Sequence, residues 1–448
     1  MGYKMKNIPM SIFSNIKKLS NLFSQIDVSD TIEALGKLDR TELYQIMKII
    51  KSKSKPYQAP EIEGDYYQLA RLLTKEEREK QLEVREFMNE HVKPIANEYW
   101  NKAQFPMHII PKMAELNIAG LTYEGYNSPM GSYLLEGFIT VEMARVDTSI
   151  STFFGVQSGL AMGSIYFCGS EEQKKKWLPP MQRLEKIGAF GLTEPNVGSA
   201  VAGGLETTCK KEGDKWILNG QKKWIGNATF ADLVIIWARN VEDNEVRGFI
   251  VEKGTAGFKA EKQEDKMALR TVQNALITLT DCEVSEENRL QNCDSFRDTS
   301  KVLKATRAGV AWQAVGCARG AYELALNYSH TRKQFGKPIG SFQLVQDLLV
   351  EMLTDLTAIQ SMAFHLSKLQ DEGRMTDQQA SLAKVACSRH TREIVGKARE
   401  IFGGNGILLE HDIARFVADA EAIYTYEGTK EVNSLIVGRD ITGISAFV

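Results

Sequence analysis

Apolar positions change their period twice along the chain. From about residue 65 to 185 they recur at the spacing of amphipathic helices. Glu76–Glu90 is charged and periodic, 106–121 carries Ile110, Met113 and Leu116 on one side, and Val156–Phe167 is small-residue-rich and apolar, as a buried helix is. From about 186 to 290 the period falls to two. Leu233–Trp237, Phe249–Val251 and Ala275–Thr280 read as strands of a mostly antiparallel sheet, and Asn219-Gly220, between 215–218 and 222–225, predicts a hairpin turn. Helical spacing returns at about 296, where Leu344, Val345, Leu348, Met352, Leu356, Ile359 and Met362 predict the apolar side of one long helix. Helices, then strands, then helices is an α+β arrangement. It divides into an N-terminal extension (1–60), a helical domain (61–185), a central β domain (186–295) and a C-terminal helical domain (296–448). In the extension, Leu35, Leu38, Tyr44, Met47 and Ile50 keep helical spacing until the Lys/Ser/Pro stretch at 51–60, which fits either a docking helix or a packed appendage.

Composition narrows the function classes. A chain of 448 residues suits two to three domains, and 43% apolar content is that of a globular protein. The formal net charge of -2 gives no basic field for nucleic acid or an anionic membrane. Six cysteines without a CxxC pair read as core residues or free thiols of a reducing compartment, and six dispersed histidines without HExxH predict no metal site. No run of about 18 apolar residues is present to span a membrane. Lys4, Lys6, Lys17 and Lys18 are not followed by the apolar stretch of a secretory signal, Asp27, Asp30 and Glu33 argue against a transit peptide, and 445–448 is no peroxisomal address. The expected location is cytoplasmic.

Five segments offer chemistry, each with a plain alternative. Ile423-Tyr424-Thr425-Tyr426-Glu427-Gly428-Thr429 sets a carboxylate between an aromatic and a glycine. Apolar surroundings move such a Glu upward from about 4.3, toward the range of a general base; a solvated first-turn helix Glu is the alternative. Phe190–Ser199 (FGLTEPNVGS) can cradle a heterocycle edge or a phosphate, or be an ordinary turn. Trp224 in Lys223-Trp224-Ile225-Gly226-Asn227-Ala228 can wall a planar ring or fill a core. Arg332 in the basic turn 332–338 can clamp a phosphate or be solvated. Phe402-Gly403-Gly404-Asn405-Gly406 is richer in glycine than a helix C-cap needs and favours close approach by a ligand or backbone. It lacks the dinucleotide fingerprint and a surrounding βαβ unit, so a Rossmann reading fails.

In this order the five motifs resemble the acyl-CoA dehydrogenase family over about residues 65–448, and within it the branch of glutaryl-CoA dehydrogenases and plant short-chain acyl-CoA oxidases. Asp298–Leu303 resembles the plant oxidases in particular, and Val437–Ile444 is similar to the branch as a whole. The resemblance implies an N-terminal helical domain, a central β-sheet domain and a C-terminal four-helix bundle. It implies bound FAD and α,β-dehydrogenation of an acyl-CoA thioester, with Glu427 as base and flavin N5 as hydride acceptor. Some relatives place the base at the position of Thr306, which a threonine cannot serve. Leu192, Thr193, Ser199, Trp224, Gly226 and Thr429 would meet the cofactor, and Arg332, Phe335, Gly403 and Gly404 that of a neighbouring subunit. Ser199, Arg307, Tyr426 and Gly428 would meet substrate. Implied partners are acyl-CoA, an electron-transferring flavoprotein or O2, and three further copies in a homotetramer, with no nucleic acid and no membrane.

The chain departs from the family pattern in three places. Gly226 stands where most relatives have Thr, which opens an oxidase alternative. Ser151 replaces the arginine that binds a distal carboxylate in glutaryl-CoA dehydrogenases, so a monocarboxylic acyl chain is expected, with Phe153 and Phe154 shortening the pocket. Ala200 replaces an acidic residue after Gly198-Ser199. A non-enzymatic FAD-binding homologue is the remote alternative, and the intact Glu427 speaks against it.

Overall fold

Local capping fixes where the first helices begin. In the computed structural model, which describes residues 64–446 together with Asp39, Thr41, Glu42 and Tyr44, α1 (Lys75–Phe87) starts with a capping box. The Thr74 hydroxyl accepts the Glu77 amide, and the Glu77 carboxylate accepts the Thr74 amide. Two short helices follow, α2 (Ala96–Lys102) and α3 (Ile110–Glu115). Ser132 caps α4 (Tyr133–Ala144) and Asp147 caps α5 (Thr148–Gly155). A stretch of π-helix, Val156–Ala161, then interrupts the run before α6 (Met162–Cys168) and α7 (Glu171–Gln182). Such insertions concentrate at functional sites. Of the apolar positions expected on the extension helix, only Tyr44, which is exposed, lies among the described residues; it belongs to a separate unit, and the rest of that expectation lies outside the described residues.

The strands β1 (Gly188–Gly191), β2 (Thr208–Glu212), β3 (Lys215–Ile225), β4 (Leu233–Asn240), β5 (Val246–Glu252), β6 (Phe258–Lys262) and β7 (Ala275–Ser285) form one sheet, with a short helix α8 (Val201–Gly204) after β1. The order is β1-β4-β2-β3-β7-β6, with β5 paired to β4; β4 runs parallel to β1 and β2, and the remaining pairs are antiparallel. β4 is apolar on both faces because both are covered. Leu233, Ile235 and Trp237 join the core shared with the helices, while Val234, Ile236 and Ala238 join a second core within the sheet region.

Asn219-Gly220 is not a hairpin turn. β3 continues through it, with a register irregularity against β7, and Gly220 takes φ +143°. A Cβ there would lie 2.7 Å from the Thr207 Cα, and the Asn219 carboxamide is bonded to Asp281 (3.0 and 2.7 Å). The dipeptide serves a bulge and a close backbone approach. The β2–β3 turn is Gly213-Asp214, bracketed by the Glu212–Lys215 pair, with Gly213 at φ +67°.

The C-terminal third holds α9 (Phe296–Thr331), a two-residue ribbon β8 (Lys333–Gln334) and β9 (Lys337–Pro338), then α10 (Gln343–Asp371), α11 (Asp377–Phe402), α12 (Ile413–Thr425) and α13 (Lys430–Thr442). α9, α10 and α11 pack as three long members of a bundle that α12 and α13 complete. Not every apolar position expected on α10 is inside: Leu344 is 80% exposed and Met362 39%, while Leu349, Met352, Leu356, Ile359, Ala363 and Leu366 make the buried stripe. All six cysteines are buried and unpaired, and among the described residues no helix is long and apolar enough to cross a membrane.

Candidate active site

Four residues join α12 to α13, and they turn a carboxylate inward. Glu427 takes φ +54° and Gly428 φ +82°, a left-handed pair that costs a non-glycine residue about 1–2 kcal/mol. Three groups hold it. The buried Lys384 ammonium of α11 donates to the carbonyls of Tyr424 and Gly428 (2.8 Å each). The Asn433 carboxamide donates to the Gly428 carbonyl (2.8 Å), and a Cβ on Gly428 would come within 2.9 Å of that nitrogen. Thr429 caps α13 by accepting the Val432 amide (3.2 Å).

The Glu427 carboxylate faces a cavity of about 140 Å³. Burial pushes its carboxyl above the usual range, against the Arg307 charge, the Thr306 hydrogen bond and the Lys384 charge. The Thr306 hydroxyl on α9 lies 3.1 Å from Glu427 Oε2, so the two positions that the sequence resemblance offers for a base sit side by side. Tyr426 lines the same cavity. Its hydroxyl donates to Gln313 Oε1, and Gln313 Nε2 donates to the Thr152 hydroxyl (2.9 Å), which ties the α12–α13 connection to α9 and α5.

The Thr193–Ser199 loop is pinned from beneath. The buried Glu194 carboxylate accepts the amides of Glu206 (2.6 Å) and Thr207 (2.9 Å) and the buried Lys222 ammonium (2.7 Å), which also reaches the Leu192 carbonyl (3.1 Å). The Thr193 carbonyl accepts the Lys223 amide (2.8 Å), so the loop and the Trp224 bend adjoin. Trp224 takes φ +67° and is 54% exposed. At Gly226 an added Cβ would stand 3.4 Å from Val156 and 3.5 Å from Val272, ordinary contact distances. Val156 lines the cavity. The Trp224–Gly226 bend therefore borders the chamber that holds Glu427. Leu192 is buried, and Ser199 and Ala200 are exposed.

Other expected residues gather elsewhere. Arg332, Phe335, Gly403 and Gly404 are exposed, Phe335 at 91%. Their two segments adjoin each other through Tyr328, which stacks on Phe402 (4.1 Å) and accepts the Asn405 carboxamide (2.9 Å). They do not meet Glu427 within the chain. Arg307 pairs with Asp377 and is not part of the cavity lining. Ser151 and Phe154 line the cavity, but Phe153 does not shorten it: its ring packs against Phe105 (4.4 Å) and Phe230 (6.3 Å).

Sequence reasoning passed over Lys384, Gln313 and Glu136, all of which matter to the cavity. A signal existed for Lys384, which sits in the apolar stripe of Ala380, Ala383 and Cys387.

Family models described as the N-terminal, middle and C-terminal domains of acyl-CoA dehydrogenase match residues 74–185, 189–282 and 296–442. A 3-(aryl)acrylate reductase of Clostridium sporogenes is 34% identical over 366 residues, 80% of this chain and 96% of the relative. The caffeyl-CoA reductase–Etf complex subunit CarC of Acetobacterium woodii is 34% identical over 348 residues, 77% of this chain and 92% of the relative. The crystal structure of glutaryl-CoA dehydrogenase from Mycobacterium smegmatis superposes with TM-score 0.83 at 35% identity, covering 86% of this chain and 99% of that one; a glutaryl-CoA dehydrogenase from the same organism in complex with FADH2 gives TM-score 0.83 at 33% identity, with the same coverage.

Proposed function

The chain belongs to the acyl-CoA dehydrogenase family of oxidoreductases, and on that premise we propose that it removes the α and β hydrogens of an acyl-CoA thioester, with Glu427 as the base. The observation that carries this reading is a carboxylate raised by burial, in a cavity whose wall continues into the Trp224–Gly226 bend. Members of the family use FAD, and the residues here fit it: the half-exposed Trp224 beside the Thr193 loop offers an indole face to a planar ring. Leu192, Thr193, Ser199, Trp224, Gly226 and Thr429 would hold that cofactor; when bound, it supplies the acceptor for the β-hydrogen as hydride.

The chain's own part is proton removal and charge stabilisation. Glu427 takes the α-proton onto its carboxylate, a contribution of about 10²–10⁴-fold. The developing negative charge on the thioester oxygen needs donors. The Glu427 amide, which has no hydrogen-bond partner among the described residues, supports that role. Tyr426 and Gly428 would border the thioester, and Arg307 and Ser199 the more polar part of the substrate. An electron-transferring flavoprotein is the proposed electron acceptor, in keeping with the Etf named in the caffeyl-CoA relative. The exposed Arg332–Phe335 and Gly403–Gly404 segments suit contact with a second copy's cofactor, hence a homo-oligomer, and a tetramer by family analogy.

The test is anaerobic titration of the FAD-loaded protein with acyl-CoAs of increasing length. Bleaching of the oxidised-flavin absorbance supports the reading; none with any acyl-CoA sinks it. One feature favours a second reading: Gly226 leaves room at the bend for a small oxidant. One peroxide per turnover in air would make the enzyme an oxidase.

A further inference from the structure

The cavity that receives Glu427 has mostly apolar walls, Phe154, Val156, Leu160, Phe167 and Val310 among them, but one side of it is polar. That side is lined by Tyr133, Glu136 and Thr140 of α4 and by Ser367 and Gln370 of α10. Gly155 and Gly309 also line the cavity, and a Cβ on either would meet nothing within 4 Å, so nothing closes the passage there. Along α9, Trp312 stands six residues past Thr306, about 9 Å of helix rise. Trp312 donates to the Ser367 hydroxyl (2.8 Å) and touches α4 at Gly137. The α4–α10 wall is thus a separate polar zone from the one around Glu427.

Within that zone the Glu136 carboxylate has no hydrogen bond or ion pair among the described residues, although it faces the cavity. A first-turn helix glutamate held only by the dipole would face water. Asp371 stands nearby: its Oδ1 accepts the Tyr133 amide (2.8 Å), and its negative charge acts on Glu136. Lys368 acts on Asp371, but its side chain is on the exposed side of α10. The phenol rings of Tyr133 and Tyr123 complete the surroundings. A carboxylate that faces a cavity beside aromatic rings, with no hydrogen-bond or ion-pair partner of its own, is the chemistry that recognises an ammonium group.

We propose that Glu136 is a specificity residue that receives a cationic amino group at the distal end of the acyl chain, so that the substrate is an amino-substituted acyl-CoA. The inference rests on the acyl-CoA reading above. It also explains Ser151: a site for a cation has no use for the arginine that binds a distal carboxylate. Burial pushes the Glu136 carboxyl up to about 7, with Asp371 adding to the rise, as expected of an acid whose countercharge has yet to arrive.

The experiment compares kcat/KM for ω-aminoacyl-CoAs of four to eight carbons with straight-chain acyl-CoAs of equal heavy-atom number, in wild type, Glu136→Gln and Glu136→Leu. Wild type should favour the best amino substrate by about 10–100-fold, the size of one charge-assisted hydrogen bond. Glu136→Gln should lose most of that preference, and Glu136→Leu should reverse it through better KM for neutral chains. Wild type turning over neutral chains as well as or better than amino ones overturns this inference and leaves the acyl-CoA reading standing. Turnover of neither series overturns both. A preference for amino chains that survives both substitutions removes Glu136 from the account.

Discussion

Replacing Lys384 by methionine separates its two roles in holding the base. Met keeps the length of the side chain, so packing in the apolar stripe of α11 is nearly conserved. The ammonium's bonds to the Tyr424 and Gly428 carbonyls (2.8 Å each) are lost. The Gly428 carbonyl keeps Asn433 (2.8 Å), so the Tyr424 carbonyl bears the loss. Hydrogen bonds to charged groups contribute about 1.5–3 kcal/mol each. Relief from burying an ammonium, which burial has already pulled down to about 8, offsets part of that. The net expectation is a loss of about 1–3 kcal/mol in urea unfolding. The second role is electrostatic. Lys384 is one of the groups opposing the upward push of burial on Glu427. Without it the Glu427 carboxyl rises further, the proportion of free base at a given pH falls, and the acid limb of the kcat/KM profile moves to higher pH. Profiles of wild type and Lys384→Met with one acyl-CoA measure this. An acid limb that stays in place, with stability within about 0.5 kcal/mol of wild type, refutes the reasoning.

Two further expectations concern stability. Against the upward push of burial, the Lys222 charge and the Glu206 and Thr207 hydrogen bonds hold Glu194 below the usual carboxylate range, while burial pulls Lys222 down to about 8, so the pair is ionised at neutral pH. Lys222→Met leaves that carboxylate buried without a countercharge and should cost about 3–5 kcal/mol by calorimetry, with FAD retention falling alongside; a loss under about 1 kcal/mol would show that the pair does not hold the loop. Glu136, raised from 4.5 to about 7, binds its proton more tightly folded than unfolded, so its contribution to stability is present at low pH and is lost as pH rises through that window. Glu136→Gln should therefore be more stable than wild type at pH 8 by about 2–3 kcal/mol, with the difference fading toward pH 4; equal stability at pH 8 contradicts the burial argument.

The periods of the chain, together with the family motifs, made the order of helices and sheet legible, because amphipathic spacing records which face is buried whatever the partner. Asn219-Gly220 shows the limit. The dipeptide suits a hairpin turn and equally a bulge, and only Thr207 and Asp281, brought from other strands, decide between them. Glu427 was legible because its motif lies in one stretch of chain. Its setting was not: Thr306 arrives from 121 residues away and Lys384 from a different helix. Glu136 gave no sign in the sequence, since a glutamate in a first helical turn is ordinary, and its burial depends on α10 closing over α4.

The central claim is that Glu427 is the base and that the cavity beside it takes an acyl-CoA. The most direct measurement is anaerobic stopped-flow absorbance on the FAD-loaded Glu427→Gln variant with an acyl-CoA that bleaches the wild type. Glutamine preserves the shape and the Thr306 hydrogen bond but cannot accept the α-proton. The account predicts full FAD content, retained acyl-CoA binding and a bleaching rate lower by about 10²–10⁴-fold or more. Bleaching within a few-fold of wild type would contradict it.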